Sequence, residues 1–198
     1  MRKLPEVRDR RTLDYGGRFQ IERLDLRFSN GAERTFERML PRGHGAVVVA
    51  AMPDPHTLLL VREYACAVHR YELGLVKGRI DPGESLETAA VRELKEEAGY
   101  GARRITVLRE MTLVPAYMPY HSWLVLAEDL YPERLPGDEP EELEVVPWKL
   151  SELDALMLRE DCSDGRSLAA AFIVREFLEA RAAGRLPADA PRAVEVSA

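Results

Sequence analysis

The stretch that most restricts how this chain folds is Gly78 to Tyr100, GRIDPGESLETAAVRELKEEAGY. A loop bearing glycine and proline leads into a run in which Leu86, Ala90, Leu94 and Ala98 recur at helical spacing. Ser85 offers a hydroxyl to the free amides of a first turn, and Gly99 offers a stop. The pattern predicts a helix over 85–98 with one apolar stripe to bury. Glu93, Glu96 and Glu97 fall off that stripe on a common face, where like charges repel by roughly 0.2–0.5 kcal/mol per pair. Two readings accommodate the repulsion. One is a solvated acidic face partly neutralised by Arg92 and Lys95. The other is a cluster that holds a hard, oxygen-seeking cation such as Mg²⁺. Helix spacing alone does not choose between them.

At 198 residues, 46% hydrophobic and 31% charged, the chain has the size and composition of one soluble globular domain, alone or with an appendage. No apolar run reaches the length of a membrane span. The basic N-terminus, MRKLPEVRDRRTLDYGG, lacks the apolar stretch of a secretory signal, so the cytoplasm is the expected location and no membrane partner is expected. A net charge of −6 argues against a nucleic-acid-coating surface. An acidic protein still takes an anionic ligand where metal ions bridge the two. Cys66 and Cys162 offer neither metal-ligand spacing nor a disulfide framework and read as buried free thiols. His44, His56, His69 and His121 are scattered and carry no assignment.

Residues 18–40 read as a β-hairpin turning at Ser29-Asn30-Gly31, with a bulge near Glu22-Arg23 to reconcile a change of phase. A hairpin alone is marginal in water, so this one is expected to pack on the main domain or on a second subunit. Strands are expected at about 46–51, 57–62, 105–114, 122–130 and 144–148, with PAYMPYH as the connection between the third and fourth. The last helices are expected at 151–158 and 167–183, the latter burying Leu168, Ala171, Phe172, Val174 and Phe177 and stopping at Gly184. Residues 186–198 read as a disordered tail. Strands interleaved with few helices give an α+β class with a layered α/β/α arrangement. The expected organisation is an N-terminal hairpin segment (1–44), a main domain (45–185) and the tail.

The flanks of the acidic helix add what spacing does not. Gly78, Glu84 and the run Arg92-Glu93-Leu94-Lys95-Glu96-Glu97-Ala98-Gly99 resemble the Nudix box at each of its fixed positions, and the chain resembles Nudix hydrolases. EYACAVHRYELGLVKGRIDPGES, RFSNGAERTFERM, DLYPERLPGDEPEELEVV and SLAAAFIVREFL are similar to the ADP compounds hydrolase branch, close to the ADP-ribose pyrophosphatases, over about residues 18 to 180.

That resemblance implies a mixed sheet sandwiched between helices, with the box as a loop–helix unit. It implies a Mg²⁺-dependent hydrolase, with Mn²⁺ as a possible substitute, that cleaves a nucleoside diphosphate joined to another group. By match of position, Glu93 and Glu97 correspond to direct metal ligands and Glu96 to the remaining helix carboxylate, which ligates or orients a metal-bound water. Glu96 and Glu97 are thereby catalytic candidates. The Lys77 carbonyl stands where the family supplies a backbone ligand. Glu84 and Arg92 match the pair that ties loop to helix, Gly78 is expected to allow a tight turn, and Pro82 and Gly83 shape the loop. Sliding GDEPEELEVV onto the acidic loop of ADP-ribose pyrophosphatases puts Glu139 at the general base and Glu141 at a further metal contact. Ordinary surface acidity is the alternative for that loop. Arg62 and Glu72 match substrate-contacting positions, with an ion pair to Glu63 as the plainer role for Arg62. The chain departs from those pyrophosphatases at Tyr120, where they carry an acidic residue.

The implied substrates are ADP-ribose, NADH and short diadenosine polyphosphates, cleaved to AMP and the other phosphorylated product. The rival readings are a narrow ADP-ribose pyrophosphatase and a non-catalytic nucleotide sensor, the second disfavoured because every box glutamate is present. A homodimer through the 18–40 hairpin is also implied.

Overall fold

In the computed structural model, which describes residues 3–13 and 19–196, the apolar runs at 46–52 and 57–61 are buried without a break. Strands buried on both faces belong at the centre of a layered domain. Before reaching them the chain lays down β1 (Glu6–Leu13), β2 (Phe19–Arg27) and β3 (Glu33–Pro41) as a separate antiparallel sheet in the order β1-β2-β3. The main sheet follows from β4 (Ala46–Asp54), β5 (Thr57–Ala65), β6 (Arg70–Arg79), β7 (Tyr100–Val114), β8 (Met118–Pro132), β9 (Glu144–Lys149) and β10 (Val194–Glu195). Its order is β10-β7-β8-β4-β6-β5-β9, and the β4–β8 pair runs parallel within antiparallel neighbours.

Among the described residues three α-helices cover this sheet: α1 (Leu86–Glu93), α2 (Leu153–Met157) and α3 (Gly165–Ala182). Alternation along the strands decides which face each helix meets. Val47, Val49, Leu59 and Val61 pack with Ala89, Ala90 and Leu94 of the first helical unit. Val48, Ala50, Leu58 and Leu60 pack with Leu153, Leu156, Ala170 and Val174 of α2 and α3. The expected layered α+β arrangement is therefore present, and no helix among the described residues is long and apolar enough to cross a membrane.

Several local expectations change. The hairpin is β2–β3, and its register runs from Phe19↔Pro41 to Arg27↔Glu33 without the bulge expected at Glu22-Arg23. The phase change is accommodated instead by burying Glu22, which accepts from Arg38 Nε at 2.6 Å and lies 3.6 Å from Arg10. Arg10 comes from β1, a third strand too polar to announce itself by alternation. Strands β7 and β8 run on until only residues 115–117 remain as a turn, and Met39 N of β3 donates to Tyr117 O there at 2.7 Å, seating the small sheet on the large one. Phe172 is half-exposed under the Arg175 guanidinium rather than buried, and Cys66 is exposed while Cys162 is buried. Within the expected tail, Val194 and Glu195 pair with Ile105 and Arg104 of β7. Arg18 of the expected hairpin and residues 197–198 of the tail lie outside the described residues.

Candidate active site

The loop–helix unit is tied together by its own side chains. Ser85 Oγ accepts from Thr88 N at 3.1 Å and caps α1. Past Glu93 the helix widens into a π-helical turn over Leu94–Ala98, and Gly99 ends it in the left-handed region at φ 76°. Arg92 donates to Glu84 through Nε at 3.0 Å and Nη2 at 2.9 Å, and Nη2 also reaches the Arg79 carbonyl at 2.8 Å. Glu84 in turn accepts from Asp81 N at 3.0 Å. The Arg92 guanidinium holds the Glu84 carboxyl below the usual carboxylate range.

The same arginine spans two of the helix glutamates, donating from Nη1 to Glu93 at 2.7 Å and to Glu96 at 3.1 Å. Glu97 turns inward and accepts from Lys77 N at 3.3 Å. Gly78 sits in the run of β6 rather than in the turn expected from the sequence. Its necessity is steric: a Cβ there would lie 1.9 Å from the Glu93 carboxyl carbon.

These groups line a cleft of about 500 Å³. Its other wall is the loop between β8 and β9, which contributes Asp138 and Glu139, and Glu63 of β5 projects into it as well. The loop is pinned to the helix end by Glu133 N donating to Gly99 O at 3.1 Å and Leu135 N to Lys95 O at 3.2 Å. With Asp81 the lining holds seven carboxylates against three cations, Lys77, Arg79 and Arg92. Two of those cations are consumed locally, since the Lys77 ammonium is paired with Glu63 and Arg92 with the glutamates above. Burial pushes Glu97 up to about 8 and raises Glu93. Glu139 is raised by burial and then by the charges of Glu63 and Asp138. The surplus is the kind of field a divalent cation reverses, and the donors are hard oxygens of the type Mg²⁺ takes. With Arg92 spanning Glu93 and Glu96, no three His, Cys, Asp or Glu side chains among the described residues already converge as a ligand set.

The remaining expected positions sit elsewhere. Glu141 accepts from Tyr71 Oη at 2.5 Å and faces a smaller recess of about 340 Å³ that the three helix glutamates share. Arg62 follows the phase of Leu58 and Leu60. It donates to Glu144 at 2.8 Å and to Asp161 at 2.7 Å, so the pairing with Glu63 expected as its plainer role does not form. Glu72 accepts from Ser163 N and Oγ at 2.8 and 2.9 Å. Neither Arg62 nor Glu72 lines the acidic cleft. Glu63, Asp138 and Arg79 do line it, and reading residues singly missed them. The phase of Leu59 and Val61 carried on to Glu63 was the available signal.

A second cavity of about 580 Å³ lies between the small sheet and the loop–helix unit. Phe19, Leu113, Met118 and Tyr120 give it an apolar and aromatic wall, and Arg79 belongs to both cavities.

Residues 42–172 match the model of the NUDIX domain, and residues 5–38 match the NudE-type Nudix hydrolase N-terminal domain. The chain is 47% identical over 161 residues to ADP compounds hydrolase NudE of Escherichia coli (strain K12), covering 81% of this chain and 86% of that one. It is 31% identical over 138 residues to an ADP-ribose pyrophosphatase of Bacillus subtilis (strain 168), covering 69% and 72%. A crystal structure of an ADP compounds hydrolase superposes with a TM-score of 0.83 at 42% identity, covering 94% of this chain and 99% of that one.

Proposed function

This chain belongs to the Nudix hydrolase family, and we propose that it is a Mg²⁺-dependent pyrophosphohydrolase of ADP-linked compounds, releasing AMP and the other phosphorylated product. The observation that carries this reading is the cleft in which seven carboxylates face three cations. A diphosphate with about two negative charges is repelled by such a surface unless cations enter with it. Glu93, Glu96 and Glu97, with the Lys77 carbonyl, are the donors that would hold Mg²⁺ or Mn²⁺, with Glu141 at the edge of the set. When bound, the metal polarises phosphoryl oxygens and makes a bound water more acidic.

The chain's own residues supply the rest. Glu139 hangs over the cleft from the β8–β9 loop, and burial with like charges nearby raises its proton affinity. That suits it to take the proton of the attacking water. Glu84 and Arg92 keep the loop and helix in one geometry, a positioning role. Arg62 and Glu72 act in this reading from outside the cleft, on the connection that carries Asp161 and Ser163. The 580 Å³ cavity gives the nucleoside half an aromatic wall.

The small N-terminal sheet leaves Val7 and Phe36 exposed, which favours a homodimer through residues 1–44 beside a catalytic domain at 45–185. The test of the activity is a product assay with ADP-ribose, NADH and diadenosine triphosphate, each with Mg²⁺ and with Mn²⁺. AMP from all three supports the broad reading, AMP from ADP-ribose alone supports the narrower pyrophosphatase, and no AMP from any rejects both.

A further inference from the structure

We propose that Arg79 grips the substrate's phosphate at the passage between the two cavities. It rests on the reading of these cavities as the site for an ADP-linked compound. Arg79 lines both the acidic cleft and the 580 Å³ cavity. Its backbone is fixed, since it pairs with Ala46 across the β4–β6 ladder and its carbonyl accepts from Arg92 Nη2 at 2.8 Å. Arg79 is an exposed residue, and its side chain makes no hydrogen bond or ion pair with any other described residue.

An arginine that stays unpaired beside seven carboxylates stands apart from every other cation around it. Lys77 is held by Glu63. Arg92 is saturated by Glu84, Glu93 and Glu96. Arg166, on the wall of the larger cavity, is paired with Asp164 at 3.1 Å. Arg42 on that wall also has a partner. Arg79 alone among these keeps its forked donors open, and that fork fits two oxygens of one phosphate. Its place fits the same ligand. A nucleoside in the aromatic cavity puts its first phosphate at the junction, and the rest of the diphosphate continues among the glutamates.

The experiment titrates wild type and Arg79→Ala with AMP and with adenosine in the absence of divalent cation, alongside steady-state hydrolysis of ADP-ribose. The variant is expected to bind AMP about tenfold or more weakly, with adenosine affinity unchanged. Its KM for ADP-ribose should rise by a similar factor, with kcat held within about twofold. Arg79→Lys, which keeps the charge and loses the fork, should recover part of the loss. Unchanged AMP affinity in Arg79→Ala overturns the assignment. So does equal loss of AMP and adenosine, or a wild type that binds AMP no better than adenosine. Retained melting temperature excludes misfolding as the cause. A wild type that hydrolyses no ADP compound but shows the Arg79-dependent preference for AMP removes the proposed activity and leaves the phosphate grip standing.

Discussion

Glu97 and Glu128 are equally buried, each about 7% exposed, and the protein treats them in opposite ways. Glu128 accepts from Arg181 at 2.8 and 2.9 Å and lies 3.4 Å from Arg104, and these guanidiniums pull its carboxyl below the usual range. Glu97 receives one amide at 3.3 Å and stands near Glu63 and Glu93, and burial pushes it up to about 8. On the α3 side of the sheet, buried charge is neutralised from within the chain. On the α1 side Glu93 still has Arg92 at 2.7 Å, but Glu97 has no ion-pair partner among the described residues. Stability alone accounts for the first arrangement; the proposed cation would account for the second.

The largest expected effect comes from Glu97→Gln. Metal-dependent AMP release should fall by about 10²-fold or more. The same change should stabilise the metal-free protein. The folded-state pKa of Glu97 lies above its ordinary value of 4.5, so a penalty develops as pH rises from there through about 8, and glutamine escapes it. Thermal unfolding at pH 8 without divalent cation should favour the variant by on the order of 4 kcal/mol, roughly ten degrees, with no gap at pH 4. Added Mg²⁺ should stabilise wild type and not the variant. A variant less stable than wild type at pH 8 would erase the contrast.

Arg181→Ala probes the other side. It leaves Glu128 with Arg104 alone and should cost about 1–2 kcal/mol at pH 7, discounted because Arg181 is partly exposed. Glu128 has a depressed folded-state pKa, so the stability it contributes is present above its ordinary 4.5 and disappears as pH falls through the lowered value. The difference between wild type and variant in urea unfolding should therefore begin to shrink as pH falls below 4.5 and close once pH is below the lowered folded-state value, with hydrolysis untouched throughout.

The smallest effect is chemical. Cys66 is exposed, whereas burial pushes the Cys162 thiol up to about 11, so an aromatic disulfide reagent should modify one thiol per folded chain and two after unfolding. Two fast thiols would mean that the α3 side opens as readily as the turn between β5 and β6 that carries Cys66.

How much of this was legible in advance depended on distance along the chain. The cap at Ser85, the stop at Gly99 and the tie between Glu84 and Arg92 are local, and local spacing announces them. The layered class followed from strands interleaved with few helices. What stayed hidden was convergence between elements far apart. Glu63 and Asp138 reach one cleft from a strand and a loop, and no window on the sequence contains both. β6 was missed because its N-terminal half, Arg70-Tyr71-Glu72, alternates with charge at a sheet end. The bulge expected at Glu22-Arg23 failed for a related reason. A buried glutamate satisfied by Arg38 and Arg10 imitates a change of phase, and only the third strand reveals the pairing. The π-helical turn at 94–98 has no compositional mark at all.

The meeting of Gly78 with Glu93 sets a limit of another kind. The gap between β6 and the acid is one hydrogen atom wide, so even a methyl group at that position acts as a wedge. It would drive strand and helix apart and carry the carboxyl with them. Bulk rather than polarity polices this position, and the spacing on which the whole acidic cleft is gauged is written there as the absence of a side chain.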